Sequence, residues 1–312
     1  MTKLLLAGTV AYDSLRTPRG ERPRILGGSA LHAAVAASIL LERVNLLSVV
    51  GGDFEAEYLD FLQKRGVDLR GLKTIKEGQT FAWRGFYEKD LNEAHTVQTD
   101  LNVLTQFDPA LPPEYLDSGF VFLGNIDPVL QTKIFAQLPA RKFGALDTMN
   151  YWIASQKTDL LKAIAGADLL FINDAEIRQL TGEDNLLRAA RGLLMTGRLR
   201  YVIIKKGEHG ALLISEKQVA ATPSMPLDEI IDPTGAGDSF AGGFMSYIAS
   251  ASTALSASGL DWAVLRAALV YATIVASFNV QGFGCERLAE ITKADLDERL
   301  KVFREITRIT VP

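Results

Sequence analysis

The 312-residue chain has a single cysteine and three histidines. One thiol, Cys285, cannot build a disulfide framework, so the sequence reads as that of an intracellular, cytoplasmic protein. No histidine stands near Cys285 in sequence to activate it as a nucleophile, and it reads as a buried bystander. With only His32, His95 and His209, neither a His-Glu-x-x-His pattern nor paired cysteines can form a zinc site. Basic blocks are also missing. Lys and Arg number 33 against 37 Asp and Glu, a formal charge of −4, so nucleic acid is not an expected partner. No run is apolar enough to predict a signal peptide or a membrane span. The N-terminal run breaks at Gly8, and the longest uncharged stretch, 239–260, is rich in Ser, Ala and Gly and reads as a packed helix and a loop. Common nucleotide and hydrolase motifs are absent as well: no P-loop, no completed Gly-x-Gly-x-x-Gly and no Gly-x-Ser-x-Gly elbow.

What is present is an ordinary globular composition, 48% hydrophobic and 22% charged, which excludes general disorder. The length fits one large domain with an appendage, or two domains. Apolar runs at 3–8, 44–50, 120–123, 143–147, 169–172 and 201–204 read as buried strands. Helical spacing separates several of them, at 29–41, 55–64, 155–165 and 186–196. Residues 210–214 read as a further strand, and helices are expected from Asp238, from Trp262 and over 293–303. This alternation predicts an α/β fold with a mostly parallel sheet and helices on both faces. The segment 80–99 differs: Phe81, Trp83, Phe86 and Tyr87, followed by a charged turn, read as a hairpin or small sheet outside the main core.

The most informative segment is 232–244, DPTGAGDSFAGGF. Gly235-Ala236-Gly237 has almost no side-chain bulk, so its backbone N–H groups can close around an anion. An apolar helix begins directly after it, and the helix N-terminus adds to the attraction. Asp238 stands at the start of that helix. Beside an anion hole, a carboxylate can deprotonate a hydroxyl that attacks a phosphorus held there. The bland alternative is a glycine turn with Asp238 as a helix cap. The length of the pattern, and the recurrence of glycine at 242 and 243, weigh against it.

This segment resembles the second signature of the PfkB family, the ribokinase-like sugar and nucleoside kinases. Other pieces follow in family order. Gly8-x-x-x-x-Asp13 resembles the first strand end and its substrate-binding aspartate. Residues 27–34, GGSALHAA, resemble the first signature. Asn173-x-x-Glu176 resembles the Asn-x-x-Glu motif, and 205–210, KKGEHG, the nucleotide-binding Thr-x-Gly-x-x-Gly. The resemblance implies a ribokinase-like kinase domain over 1–312, doubly wound, with a small β lid. That lid is expected mainly from about 75–105, with 12–25 as a candidate second contributor.

By resemblance, Asp238 is the general base, and Gly235, Ala236 and Gly237 hold the transferring phosphoryl group. Asp13, Gly27, Gly28 and His32 are assigned to the substrate; His32 stands where many members have Asn. Asn173, Lys205, Gly207 and Gly210 are assigned to ATP; Lys205 stands where many members have Thr. Glu176 is assigned to Mg²⁺ through water, and Asp232, Thr234 and Gly284 to a monovalent cation, K⁺. Asn125, at a strand end, is a further expected pocket residue. The expected partner is a small sugar or polyol, and the lid is a candidate homodimer surface. A nucleoside kinase of the same fold is one alternative. A non-catalytic sugar- or nucleotide-binding regulator is another, disfavoured because a pure binder has no need of a base.

Overall fold

The computed structural model of the chain describes residues 3–251, 255–256 and 259–308. Part of the loop expected after the 239–250 helix, at 252–254 and 257–258, lies outside the described residues. The first half contains β1 (Leu4–Ala7), β2 (Ala11–Thr17), β3 (Gly20–Gly27), α1 (Ser29–Ala37), β4 (Val44–Gly51), α2 (Ala56–Lys64), β5 (Val67–Ile75), β6 (Ala82–Tyr87) and β7 (Ala94–Asp100). Next come β8 (Phe120–Leu123), α3 (Pro128–Gln137), β9 (Phe143–Asp147), α4 (Asn150–Ser155), α5 (Lys157–Gly166), β10 (Leu169–Asn173), α6 (Asp174–Thr181) and α7 (Leu186–Leu194). The chain continues through β11 (Tyr201–Lys205), β12 (Ala211–Ile214), β13 (Val219–Thr222), α8 (Ala236–Ser250), the short pair β14 (Leu255–Ser256) and β15 (Gly259–Leu260), α9 (Trp262–Asn279), α10 (Glu286–Glu290) and α11 (Lys293–Thr307).

Nine strands form the main sheet in the order β13-β12-β11-β10-β9-β8-β1-β4-β5. All neighbours from β5 to β11 are parallel, and β12 and β13 continue antiparallel. Side-chain alternation splits the core in two. Leu4 and Leu6 of β1 pack with α1, α8 and α9 on one face, and Leu5 and Ala7 pack with α3, α5 and α7 on the other. Helices on both faces explain why the strands are unbroken apolar runs. Gly242 and Gly243 belong to this packing: a Cβ on Gly242 would stand 2.3 Å from Ala33 O, and one on Gly243 would meet Val275 at 3.0 Å. Their recurrence in the sequence therefore reflects close helix contact rather than anion binding. By length and composition α9 could cross a membrane, with mean hydropathy 1.4, but it lies largely buried against α8 as a core helix.

A second sheet has the order β3-β2-β6-β7. It unites the expected hairpin with residues 11–27, which contain the 12–25 stretch expected as a second contributor. Only part of this sheet is buried, so its sequence is not required to be apolar. Pro23 is tolerated because β3 is an edge strand. β5 was missed for the same reason. It is the outer strand of the main sheet, with Arg70 and Lys73 exposed to solvent and Asp68 held by Arg43 and Arg70.

Candidate active site

The C-terminal ends of β1, β8, β9, β10 and β11 open on one crevice, as the topology of an open parallel sheet requires. Asp13 enters it from β2. Its carboxylate lies against the backbone of Gly27, where a Cβ would come within 2.0 Å of Oδ2. Gly28 takes φ 101° to begin α1 and lies hard against Thr9 O. These glycines are thus required by close approach of the Asp13 carboxylate and the β1 loop. Asp13 is 5% exposed, and its carboxylate has no hydrogen-bond partner among the described residues. Burial, followed by the charges of Asp232 and Asp238, pushes it up to about 7.

Asp238 stands in the first turn of α8, after Gly235 in the left-handed region at φ 72°. It too lacks a hydrogen-bond partner among the described residues. Burial and the neighbouring Asp147 push it up to about 7, against the pull of Lys205. The anion hole differs from expectation in one donor. Ala236 N–H turns back to Pro233 O at 3.1 Å, whereas no acceptor among the described residues meets the N–H groups of Gly235 and Gly237. The hole therefore offers two free donors from the three expected residues.

Asn279 organises this turn, and no motif announced it. Its Nδ2 donates to Thr234 O at 2.8 Å, which directs Oδ1 to accept from Ser239 Oγ at 2.9 Å and from His32 Nδ1 at 3.1 Å. A buried Asn at the end of an apolar helix was the only available signal. His32 requires a correction. It is 1% exposed, and its ring fills the space where a Gly235 Cβ would sit. Its Nδ1 also lies 3.3 Å from Cys285 Sγ, and its Nε2 is buried without a partner. Burial pushes His32 down to about 4, so the ring is neutral. It supports the glycine turn from beneath and does not occupy a substrate-contact position. Cys285 is buried, as expected, and burial raises its thiol pKa.

Asn125 is tied to the loop after β9. Its Oδ1 accepts from Trp152 Nε1 at 2.8 Å and its Nδ2 faces Met149 Sδ at 2.9 Å. One donor and one acceptor site of the amide are thus engaged in holding the loop after β9, which gives Asn125 a structural task beside the expected one. Asp232, Thr234 and Gly284 do come together. Asp232 Oδ1 accepts from Thr234 N at 2.8 Å and Oδ2 from Gly284 N at 2.9 Å. The carboxylate is completely buried, and desolvation raises its pKa despite those bonds.

On the other side of the crevice, Asn173 and Glu176 form a capping box for α6. Asn173 Oδ1 accepts from Glu176 N at 2.7 Å, and Glu176 Oε2 accepts from Asn173 N at 2.9 Å. The structural role of this pair is therefore real, and it leaves Asn173 Nδ2 and Glu176 Oε1 free. Burial, then Asp147, pushes Glu176 up to about 7, with Lys205 opposing. Lys205 reaches from β11 to Asp147 Oδ2 at 2.5 Å. Burial works against its charge, but Asp147 and Glu176 outweigh it and hold the ammonium above its ordinary pKa. Its Nζ lies 3.0 Å from where a Cβ on Gly237 would sit, so it flanks the anion hole. Asp147 was the unrecognised half of this pair. Gly207 and Gly210, at φ 54° and 80°, shape the tight turn from β11 to β12. A cavity of about 740 Å³ extends from Gly237 and Lys205 past Gly207 to the C-terminal end of α9.

The chain matches the model of the pfkB family carbohydrate kinases over residues 19–292. It is 32% identical over 252 residues to a cytidine kinase of Thermococcus kodakarensis, covering 79% of this chain and 88% of that kinase. Among solved structures it resembles the Methanocaldococcus jannaschii nucleoside kinase, an archaeal member of the ribokinase family, with TM-score 0.79, 24% identity and coverage of 97% of this chain and 99% of that one. It also resembles the Burkholderia thailandensis nucleoside kinase in complex with ADP-inosine, with TM-score 0.79, 20% identity and coverage of 96% and 95%.

Proposed function

The chain belongs to the pfkB family of carbohydrate kinases and is therefore a phosphotransferase with a hydroxyl acceptor; on that premise we propose that it transfers the γ-phosphoryl group of ATP to the hydroxymethyl group of a nucleoside's ribose. One observation carries the acceptor side. Asp13 and Asp238 are two carboxylates without a hydrogen-bond donor among the described residues, near enough that the charge of Asp238 acts on Asp13. Carboxylates only accept hydrogen bonds when ionised, so the pair is complementary to a ligand that brings several hydroxyls. Asp13 would hold ribose hydroxyls while Asp238 removes the proton from the attacking one. The free N–H groups of Gly235 and Gly237, with the Lys205 ammonium beside them, would stabilise the charge on the transferring phosphoryl oxygens.

Mg²⁺ fits this arrangement as a phosphate-bound ion. Among the described residues no three His, Cys, Asp or Glu side chains gather into a metal cage. Mg²⁺ needs none, since it keeps several waters and takes phosphate oxygens. Glu176, with Oε1 free, suits a water-mediated contact. When bound, the ion would neutralise phosphate charge between the two substrates.

Two features favour a nucleoside over a simple sugar or polyol. The cytidine kinase relative is one. The other is Trp83, which pairs in register with Asp13 across β2 and β6. Its indole nitrogen donates to Thr96 Oγ1 at 3.1 Å, which fixes a half-buried ring beside the acceptor carboxylate. Base stacking on an aromatic ring is worth about 1–3 kcal/mol, so Trp83→Ala is expected to raise the nucleoside KM about 5–150-fold. The ribose KM should remain unchanged. Measuring ADP release with nucleosides, ribose and polyols tests both points, and fastest turnover of a free sugar or polyol would replace the nucleoside reading.

Asp232 supports a dependence on monovalent cations. It is a buried carboxylate that has two backbone donors but no cationic side chain bonded to it among the described residues. K⁺ would supply the missing charge next to the glycine turn. Activity in K⁺ is expected to exceed, severalfold, that in tetramethylammonium at equal ionic strength. Equal rates would reduce Asp232 to a backbone clamp.

A further inference from the structure

The cavity beside Gly237 has a roof that the main sheet does not supply. Lys89, Asp90, Leu91 and Asn92, in the turn between β6 and β7, line its rim opposite Gly207 and Gly237. The second sheet thus reaches beyond the acceptor carboxylate to the phosphate side. Two contacts seat this turn. The Thr234 hydroxyl, one residue before the glycine turn, donates to the Tyr87 hydroxyl at 3.2 Å. Asn92 Oδ1 occupies the space where a Cβ on Gly207 would sit, 2.5 Å away. The turn itself is ordered from within, because Asp90 Oδ1 accepts from both Asn92 N and Asn92 Nδ2 at 2.9 Å. That internal bonding leaves Lys89 with no ion-pair partner among the described residues. Lys89, a lysine without a counter-ion, stands on the rim of a cavity lined by three lysines, Lys89, Lys205 and Lys206, against two acids, Asp90 and Glu208. Such a cluster fits a polyphosphate.

We propose that the 89–92 turn is part of the nucleotide site, with Lys89 as a ligand of the ATP polyphosphate and Asn92 as the contact that seats the turn on Gly207. The proposal rests on the kinase reading but not on the identity of the acceptor. It also links the two substrates mechanically. Asp13 pairs with Trp83 and Arg16 with Phe86 in the parallel β2–β6 register, so the strand leading into the 89–92 turn is bonded to the strand holding the acceptor carboxylate. Nucleotide binding would draw down the same sheet that covers the acceptor.

The test needs no acceptor. Binding of AMP-PNP with Mg²⁺, and of adenosine alone, is measured by calorimetry on the full chain. The variants are Lys89→Ala and, as a control, Lys133→Ala on the exposed face of α3. Lys89 is exposed, so its truncation leaves the fold intact. One charged contact to phosphate corresponds to about 10–150-fold in affinity, and Lys89→Ala is expected to lose that much for AMP-PNP and nothing for adenosine. Lys133→Ala should lose neither. Amide exchange in 88–93 should slow when AMP-PNP binds to the unaltered protein. AMP-PNP affinity unchanged by Lys89→Ala, or an equal loss for adenosine, would overturn the proposal. Unaltered protein that fails to bind AMP-PNP at all would overturn the kinase reading with it.

Discussion

Asp238→Asn is expected to lower kcat by at least about 100-fold, the lower end of what general-base catalysis supplies. The amide keeps the size of the carboxylate but cannot take the proton from the attacking hydroxyl. ATP affinity should be nearly retained, because Gly235 and Gly237 keep their free N–H groups. Stability gives an internal control. Burial raises the Asp238 pKa to about 7 in the folded protein from an ordinary value of 3.8. A carboxyl raised in this way contributes its stability at low pH, where it is neutral, and loses it as pH rises through about 7. The Asn variant is permanently neutral, so its Tm at pH 8 should equal or exceed that of the unaltered protein. The same shift predicts that kcat/KM falls as pH drops below about 7, more steeply than a single proton would give, since Asp13 titrates near the same value. A folded, ATP-binding Asp238→Asn variant with most of its rate would remove Asp238 as the base.

Lys205→Met should damage both turnover and stability, by separable routes. Its ammonium flanks the anion hole at Gly237 and pairs with Asp147 at 2.5 Å. Losing one donor to a developing oxyanion costs about 10²–10³-fold in kcat, and that is the expected loss. Breaking a buried pair by removing one partner costs about 3–5 kcal/mol, which chemical denaturation would detect. The double variant Lys205→Met/Asp147→Asn removes the stranded carboxylate and should recover much of the stability but none of the rate. Because Lys205 lowers the pKa of Asp238, its loss should also move the acid limb to higher pH. Reduced stability with unaltered kcat would make Lys205 a structural residue only.

Legibility in the sequence followed the kind of constraint involved. The parallel core was readable because strands buried on both faces must be apolar throughout, as Leu4, Leu5, Leu6 and Ala7 are. The 232–244 segment was readable because the glycine turn, the helix it opens and Asp238 in the first turn of that helix are contiguous, so local chemistry writes them in one stretch. Edge strands were not. Residues 20–27 and 67–75 carry charges and a proline because one side or one edge meets water, and polar strands look like loops. His32 and Asn125 were placed on the right elements, but the partners that hold them were not readable. Position along a strand or helix does not reveal whether a side chain's polar atoms are already engaged, and Asn279, Trp152 and Met149 decide that from 247, 27 and 24 residues away.

The sequence by itself determined the family, the parallel α/β core and the glycine turn with its aspartate, since each depends on periodicity or on a contiguous run. Only the tertiary structure decided that Lys205 pairs with Asp147, that Asn279 holds the glycine turn, that the Ala236 N–H turns back to Pro233 O, and that the 89–92 turn lines the cavity beside Gly237. These features join residues from 3 (Pro233 and Ala236) to 148 (Lys89 and Gly237) positions apart. They arise from where strands end in the sheet and which backbone groups are already bonded, and no local pattern of residue types encodes either.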